Sequence, residues 1–337
     1  MPDALKGYED AVASGDTAVT TALVDEMLCT GAEPVAVLTD VIAAAQRAVG
    51  ERWQRGEWTV AQEHAASAMA IAATNTVMRH VRQLPITRGR VVVACSEREW
   101  HALPAMIIDC ALRARGWNTT LLGASTSLLR LDQHLQDLGP EAVAVSCSML
   151  GALPTTRRFI EASTAAGVPV VVGGSAFGND GLRARALGAT AWARDAQGAV
   201  AAMDDLPAVV PPAPPLPEGS TGEQAGLELD HRRLIAALRG RWSVTALVTT
   251  PDEGPRPAVV TAAEDVLEQV LHAVSAALLT GDPRPVAETS AWVSELMQTR
   301  GVAVACVREL GVILAATLCD YPRARELVEQ NFTGGLA

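Results

Sequence analysis

Three patterns along the chain predict an α/β plus all-α protein: an N-terminal helical bundle, a doubly wound parallel sheet and a C-terminal helical domain. They are a run of helical periodicity, then a regular alternation of short apolar strands with helices, then more helical periodicity behind a proline-rich break. At 337 residues the chain exceeds one ordinary domain, so several compact units with their own cores are expected.

From about Ala4 to Leu84 apolar residues recur at three- and four-residue spacing, as in Leu38, Val41, Ile42 and Ala45, followed by Val49. Breaks fall at Ser14-Gly15-Asp16 and from Gly31 to Pro34, and the alanine-rich run Val60 to Met78 permits close helix contact. A four- or five-helix bundle over residues 1–85 satisfies this pattern. The β-branched run Arg90 to Ser96 then reads as a strand, and Ala105 to Gly116 as a helix with a glycine stop. The alternation repeats: strand from Thr119, helix near Leu128 to Leu138, strand from Ala142, helix near Thr155 to Ala166, strand from Pro169, a short helix from Gly181 to Leu187, and Thr190 to Ala193. Continuous apolar strands are buried on both faces, so 86–205 reads as a Rossmann-like parallel sheet. Residues 206–222 are rich in Pro, Gly and small polar residues and read as an extended linker. Residues 223–337 read as helical over Glu264 to Thr280, Ala287 to Arg300 and Val302 to Cys319, with one ambiguous apolar run from Ser243 to Val248.

A formal charge of −11 with no Lys/Arg cluster excludes direct nucleic-acid binding as an expectation, and points to small molecules or proteins as partners. No run approaches the roughly 20 apolar residues a membrane helix needs, and the N-terminus lacks a signal pattern, so a soluble, cytoplasmic protein is expected. The six cysteines lie far apart without CxxC spacing and imply neither a zinc site nor a disulfide framework. Seven Trp outnumber three Phe and two Tyr together, which suits flat apolar walls around a large ligand.

The chemistry concentrates in the loop after the first strand, where Glu99, Trp100 and His101 open the next helix. Ligands of doubly wound sheets bind at this edge. A histidine there can give one ring nitrogen to a metal while a carboxylate holds its other N–H. The segment Glu99-Trp100-His101-Ala102-Leu103-Pro104 resembles the Asp/Glu-x-His-x-x-Gly hallmark of the cobalamin-binding domains of methionine synthases, corrinoid methyl carriers and B12-dependent light sensors, with Pro104 in the glycine position. The resemblance implies that His101 is the lower axial ligand to cobalt. It also aligns Ser146 and Ser148 with a Ser-x-Leu element that meets the buried nucleotide tail, serine replacing the leucine, and Gly173-Gly174 with paired glycines whose lack of Cβ lets backbone approach a ligand.

In the bundle, Trp53 followed by Glu63-His64 resembles the cap of B12 photoreceptors that are fused to MerR-type DNA-binding domains. By that resemblance Trp53 covers the adenosyl group and Glu63 and His64 hydrogen-bond it, while Gln54 stands where those repressors carry a second cobalt-binding histidine. The chain starts almost at its first helix, so no DNA-binding domain is expected ahead of it. The C-terminal region is similar to the extra domain of photocobilins, which pair cobalamin with a bilin such as biliverdin. Its implied bilin pocket draws on His231, Arg239, Trp242, His272, Trp292, Cys306 and Arg308: arginines for propionates, histidines for pyrroles, a cysteine for a thioether. The whole-chain resemblance implies an adenosylcobalamin-dependent photoreceptor rather than an enzyme, with a homodimer and a downstream protein as partners. A corrinoid methyl carrier, a mutase subunit and a non-photoactive cobalamin-binding scaffold are the alternatives. His80 and His134 are assigned to no site.

Overall fold

The computed structural model describes residues 2–246 and 257–332. The chain divides into two compact units, 1–53 with 57–214 and 54–56 with 215–337.

The first unit begins with helices α1 (Pro2–Ser14) and α2 (Thr17–Cys29), a continuous helical stretch α3 over 34–54, and α4 (Val60–Val81). Asp16 caps α2 by accepting the Val19 N–H, and Thr59 with Gln62 forms a capping box on α4. The middle of α3, Val37–Ile42, is π-helical. Such insertions re-aim the side chains that follow them and recur at functional sites.

The sheet comprises β1 (Arg90–Cys95), β2 (Asn118–Gly123), β3 (Ala142–Ser146), β4 (Val170–Gly173) and β5 (Ala191–Ala193), parallel throughout, in the order β2-β1-β3-β4-β5. Helices α5 (Ala102–Ala114), α6 (Leu128–Leu138), α7 (Leu153–Ala165) and α8 (Leu182–Ala186) link the strands and α9 (Ala196–Asp204) follows β5; α5 pairs with α9 as α6 pairs with α7, covering the two faces. The strand order reverses between β1 and β3, the position where doubly wound sheets open a crevice at their carboxyl ends. Bundle and sheet share one core, because Met106, Ile107, Cys110 and Ala111 of α5 pack among Val41, Ala45, Ala70, Ala73 and Val77. One face of α5 therefore fixes the bundle against the sheet.

The second unit is all-helical: α10 (Glu218–Arg241), the single turn α11 (Ser243–Ala246), α12 (Pro257–Thr280), α13 (Arg284–Gln298), α14 (Val304–Thr317) and α15 (Pro322–Asn331). The ambiguous apolar run from Ser243 is helical through Ala246, and its remaining residues 247 and 248 lie outside the described residues. The linker expected over 206–222 stops short, since α10 starts at Glu218. Its glycines are helical: a Cβ on Gly226 would stand 2.7 Å from the Tyr321 ring, and one on Gly219 2.9 Å from Arg323. Glu223, one turn on, caps α15 by accepting the Arg323 and Ala324 N–H groups. The end of the stretch that reads as an extended linker is thus helix, and Gly219 within it permits close contact with α15.

Candidate functional site

β1 ends at Cys95 and the chain leaves the sheet through residues 96–101, braced by a 2.6 Å hydroxyl pair between Ser96 and Thr156. Within this loop Glu99 is fully buried. Its Oε1 accepts the His101 backbone N–H at 2.8 Å and faces His101 Nδ1 at 2.7 Å. Its Oε2 accepts the N–H groups of Ser148 at 2.5 Å and Met149 at 2.9 Å, from the loop after β3. One carboxylate therefore ties together the two loops that flank the switch point, and every contact it makes is with a hydrogen-bond donor. Burial alone raises the Glu99 pKa, but the His101 ring and the backbone N–H groups of His101 and Ser148 outweigh it and hold the group below its ordinary range.

His101 occupies the N-cap position of α5 with 59% of its side chain exposed. An ionised Glu99 only accepts, so it keeps the proton on Nδ1 and leaves the Nε2 lone pair directed away from the carboxylate. The hydrogen bond to Glu99 raises the His101 pKa, burial opposes it, and the charges of Glu99 and Glu63 add to the rise. Glu63 belongs to α4, so the bundle brings a carboxylate within electrostatic reach of the histidine loop.

A cavity of about 520 Å³ opens beside this loop. Ser146, Ser148, Gly173 and Gly174 line it from the sheet edge, Leu103 and Pro104 from α5, and Thr39, Asp40, Ala43, Gln46 and Arg47 from α3. The paired glycines are required by backbone proximity: a Cβ on Gly173 would lie 2.6 Å from the Ala193 carbonyl oxygen, and one on Gly174, at φ +106°, 2.2 Å from that of Cys147.

On the cap, Glu63 accepts from the Ser67 hydroxyl at 2.9 Å, and Ser67 accepts from Gln46 of α3 at 2.7 Å. His64 lies 3.6 Å from Glu63 and is 74% exposed. Trp53 is half-buried on α3, and Trp100 is 73% exposed. The structure thus joins Glu99, His101, Ser146, Ser148, Gly173 and Gly174 at one edge, with Glu63 and His64 paired on α4. Sequence reasoning missed Gln46, Ser67, Thr39 and Asp40. The usable signal was Gln46, a polar side chain beside the apolar series Val41, Ile42, Ala45 and Val49.

Of the seven residues expected around a bilin, Trp242 meets Cys306 and His231 meets His272. Trp242 is buried in the core and donates Nε1–H to the Cys306 carbonyl at 2.8 Å, Arg239 pairs with Glu264, Arg308 is exposed and Trp292 is half-buried. His231 faces Glu268 at 2.5 Å and stacks on His272. His134 is a surface residue donating to the Arg130 carbonyl at 2.8 Å.

Two family models described as B12 binding domain match this chain, one over residues 89–203 and the other over 4–77. The HTH-type transcriptional repressor CarH of Myxococcus xanthus is 31% identical over 158 residues, covering 46% of this chain and 52% of that protein. Trimethylamine corrinoid protein 2 of Methanosarcina mazei is 22% identical over 211 residues, covering 58% of this chain and 96% of that protein. Among solved structures, the monomethylamine corrinoid protein of Methanosarcina barkeri superposes with a TM-score of 0.53 at 17% identity, over 60% of this chain and 97% of that one, a likeness of fold. This chain spans about half the length of the first of these relatives. Among the described residues no helix is long and apolar enough to cross a membrane.

Proposed function

Because the chain belongs to the B12-binding domain family over residues 4–77 and 89–203, we propose that this cobalamin-binding protein is an adenosylcobalamin-dependent photoreceptor. When bound, adenosylcobalamin supplies a cobalt–carbon bond that visible light can break.

His101 is the residue to hold cobalt through Nε2, with Glu99 fixing its tautomer. The cavity lined by Gly173, Gly174, Ser146 and Ser148 would take the nucleotide tail, with the serine hydroxyls as polar groups at the sheet edge. Trp53, Glu63 and His64 are the cap residues for the upper group. The observation that carries the reading is the Gln46–Ser67–Glu63 chain of hydrogen bonds, which links α3 to α4 and sets Glu63 where its charge acts on His101. Trp53 and Glu63 would cover the upper group when it is bound, and through them its loss would be felt by α3 and α4. The signal leaves as a changed assembly of the chain or a changed contact with a partner protein, and the chain acts as a sensor rather than a catalyst.

A second reading has its own support. The trimethylamine corrinoid protein is matched over nearly its whole length, so a methyl-carrier role for a partner enzyme is the alternative. In the helical second unit the photoreceptor reading adds a bilin as a second chromophore. Its support there is the resemblance in domain order and the arginines 239 and 308 on the unit's surface.

Absorption spectra of the protein loaded with adenosylcobalamin in darkness, before and after green light, test the proposal together with its oligomeric state. A light-driven spectral change accompanied by a change in assembly is expected, with the change in assembly lost in His101→Ala. A spectrum and assembly that ignore light, with methyl transfer restored by a partner enzyme, would move the assignment to the carrier. Titration with biliverdin checks the second chromophore separately.

A further inference from the structure

We infer that His231, Glu268 and His272 form a binding site for a divalent first-row transition ion in the second unit, with zinc the best-suited occupant. Helices α10 and α12 run antiparallel along a polar seam. Gln224 donates to Ser275 at 3.1 Å, His231 meets Glu268 at 2.5 Å, and Arg239 pairs with Glu264. Leu227, Leu234, Leu238, Leu267 and Leu271 are buried on these same helices, so two packed helices hold the seam in register. Glu268 and His272 are four residues apart on α12 and share a face; His231 reaches them from α10.

One ligand atom from each residue, two imidazole nitrogens and a carboxylate oxygen, lies within 4.8 Å of the other two. This donor set suits zinc and its neighbours and is wrong for calcium or magnesium, which take oxygen ligands. The His231 and His272 rings are stacked, 5.2 Å between centroids and 12° from parallel. A metal lies in the plane of the imidazole that binds it, so one ring turns about its broad terminal torsion as the ion enters. Metal bonds of about 2.0–2.1 Å set the donors roughly 3.3 Å apart, so from atoms that lie within 4.8 Å of one another the His231–Glu268 pair, now at 2.5 Å, opens as the ion enters. Binding through His231 Nε2 requires the ring proton that faces Glu268 to move to Nδ1, the other nitrogen of the neutral imidazole. Exposure of 25% at His231 and 45% at Glu268 leaves room for water to complete the coordination. Glu264 and Asp265, one turn before Glu268, supply further negative charge, only part of which Arg239 offsets.

The inference does not rest on the cobalamin reading, and its test keeps the two apart. The full chain is stripped with chelator, and zinc is titrated against a chromophoric competitor in wild type, His101→Ala, His272→Ala and Glu268→Gln. One equivalent is expected in wild type and in His101→Ala, with a zinc-dependent rise in thermal midpoint. Affinity falls on the order of 100-fold in His272→Ala and at least about tenfold in Glu268→Gln. Glu268 is half exposed, so its variant carries the test if His272→Ala does not fold. Absence of a stoichiometric site, or equal affinity in wild type and Glu268→Gln, overturns the inference. So does biliverdin binding that depends on His272 in a protein that takes up no zinc, which would give these histidines to a bilin.

Discussion

Two histidine–carboxylate pairs in this chain are built in opposite ways. At the sheet edge Glu99 is fully buried while His101 is largely exposed, and the carboxylate accepts from three backbone N–H groups besides the ring. In the helical unit His231 and Glu268 are both partly exposed, and they meet side chain to side chain. A carboxylate clamped by two loops fixes the tautomer and direction of its histidine without any metal. One that sits on a helix face holds its histidine through a single side-chain contact. The first pair is preorganised by the topology of the sheet, because only the switch point brings the β1 and β3 loops together. The second depends on side-chain rotamers alone.

The strongest way to break the comparison is to remove Glu99. Glu99→Ala leaves the N–H groups of His101, Ser148 and Met149 without their acceptor, and a loss of about 3 kcal/mol or more in denaturant unfolding is expected. Glu99→Gln keeps the shape but offers one oxygen and one NH₂ where the carboxylate gave two acceptors. Its NH₂ opposes either the paired backbone donors or the His101 ring, and the second outcome moves the ring proton to Nε2. Cobalamin affinity should drop about 10- to 100-fold in this variant. In the cobalamin-free protein the His101 resonances should titrate at lower pH than in wild type, since the hydrogen bond to Glu99 is the main reason its pKa is raised. An unchanged His101 titration would show that the carboxylate does not set the histidine.

Next in size is the backbone cradle. Gly174→Ala places a Cβ against the Cys147 carbonyl at a φ of +106° that L residues rarely adopt, and should cost about 1–3 kcal/mol. Gly139→Ala, at φ +51° with nothing within 4 Å, tests whether crowding rather than conformation sets the cost. Its smaller loss in thermal midpoint would assign the difference to close approach at the cradle.

What the sequence made legible follows the same division. Strand and helix positions in the first unit could be read because β-branched runs and glycine stops are local signals, and α6 falls on the expected Leu128–Leu138. The pair Glu99 and His101 was legible from spacing, but the second half of the clamp was not. Ser148 and Met149 contribute backbone N–H groups, which leave no trace in residue identity. The π-helical stretch that turns Thr39 and Asp40 toward the cavity has no sequence signature either. In the second unit α10 was truncated at its start because Gly219, Ser220 and Gly222 read as linker, although Gly219 permits a close approach to Arg323 of α15. Glu268 was passed over because a glutamate on a helix is ordinarily solvent-facing, and only the register of α10 against α12 brings it to His231.

A third carboxylate sharpens the contrast. Asp109 on α5 is buried like Glu99, but burial prevails over the Thr119 hydroxyl and the charges of Arg82 and Arg113, and its pKa is raised. A raised folded-state pKa means that the native protein holds the proton after the unfolded chain has released it. Stability attributable to Asp109 is therefore present at low pH and is lost as pH rises from the unfolded value, about 3.9, through the folded one. Asp109→Asn removes the loss, so its thermal midpoint should gain on wild type between pH 4 and pH 7. A constant difference across that range would mean that Asp109 ionises as easily in the fold as outside it.

The smallest effect belongs to Glu268. Without metal, Glu268→Gln breaks one partly exposed pair with His231, and such pairs contribute about 0–1 kcal/mol. Chelated wild type and variant should therefore unfold within about 0.5 kcal/mol of each other in denaturant. The near-equality is informative beside the Glu99 variants, for the same substitution at the sheet edge should cost several times more. A large loss at Glu268 would mean that the helical pair is clamped as firmly as the first, and that the distinction between a preorganised and an ion-dependent histidine does not hold in this chain.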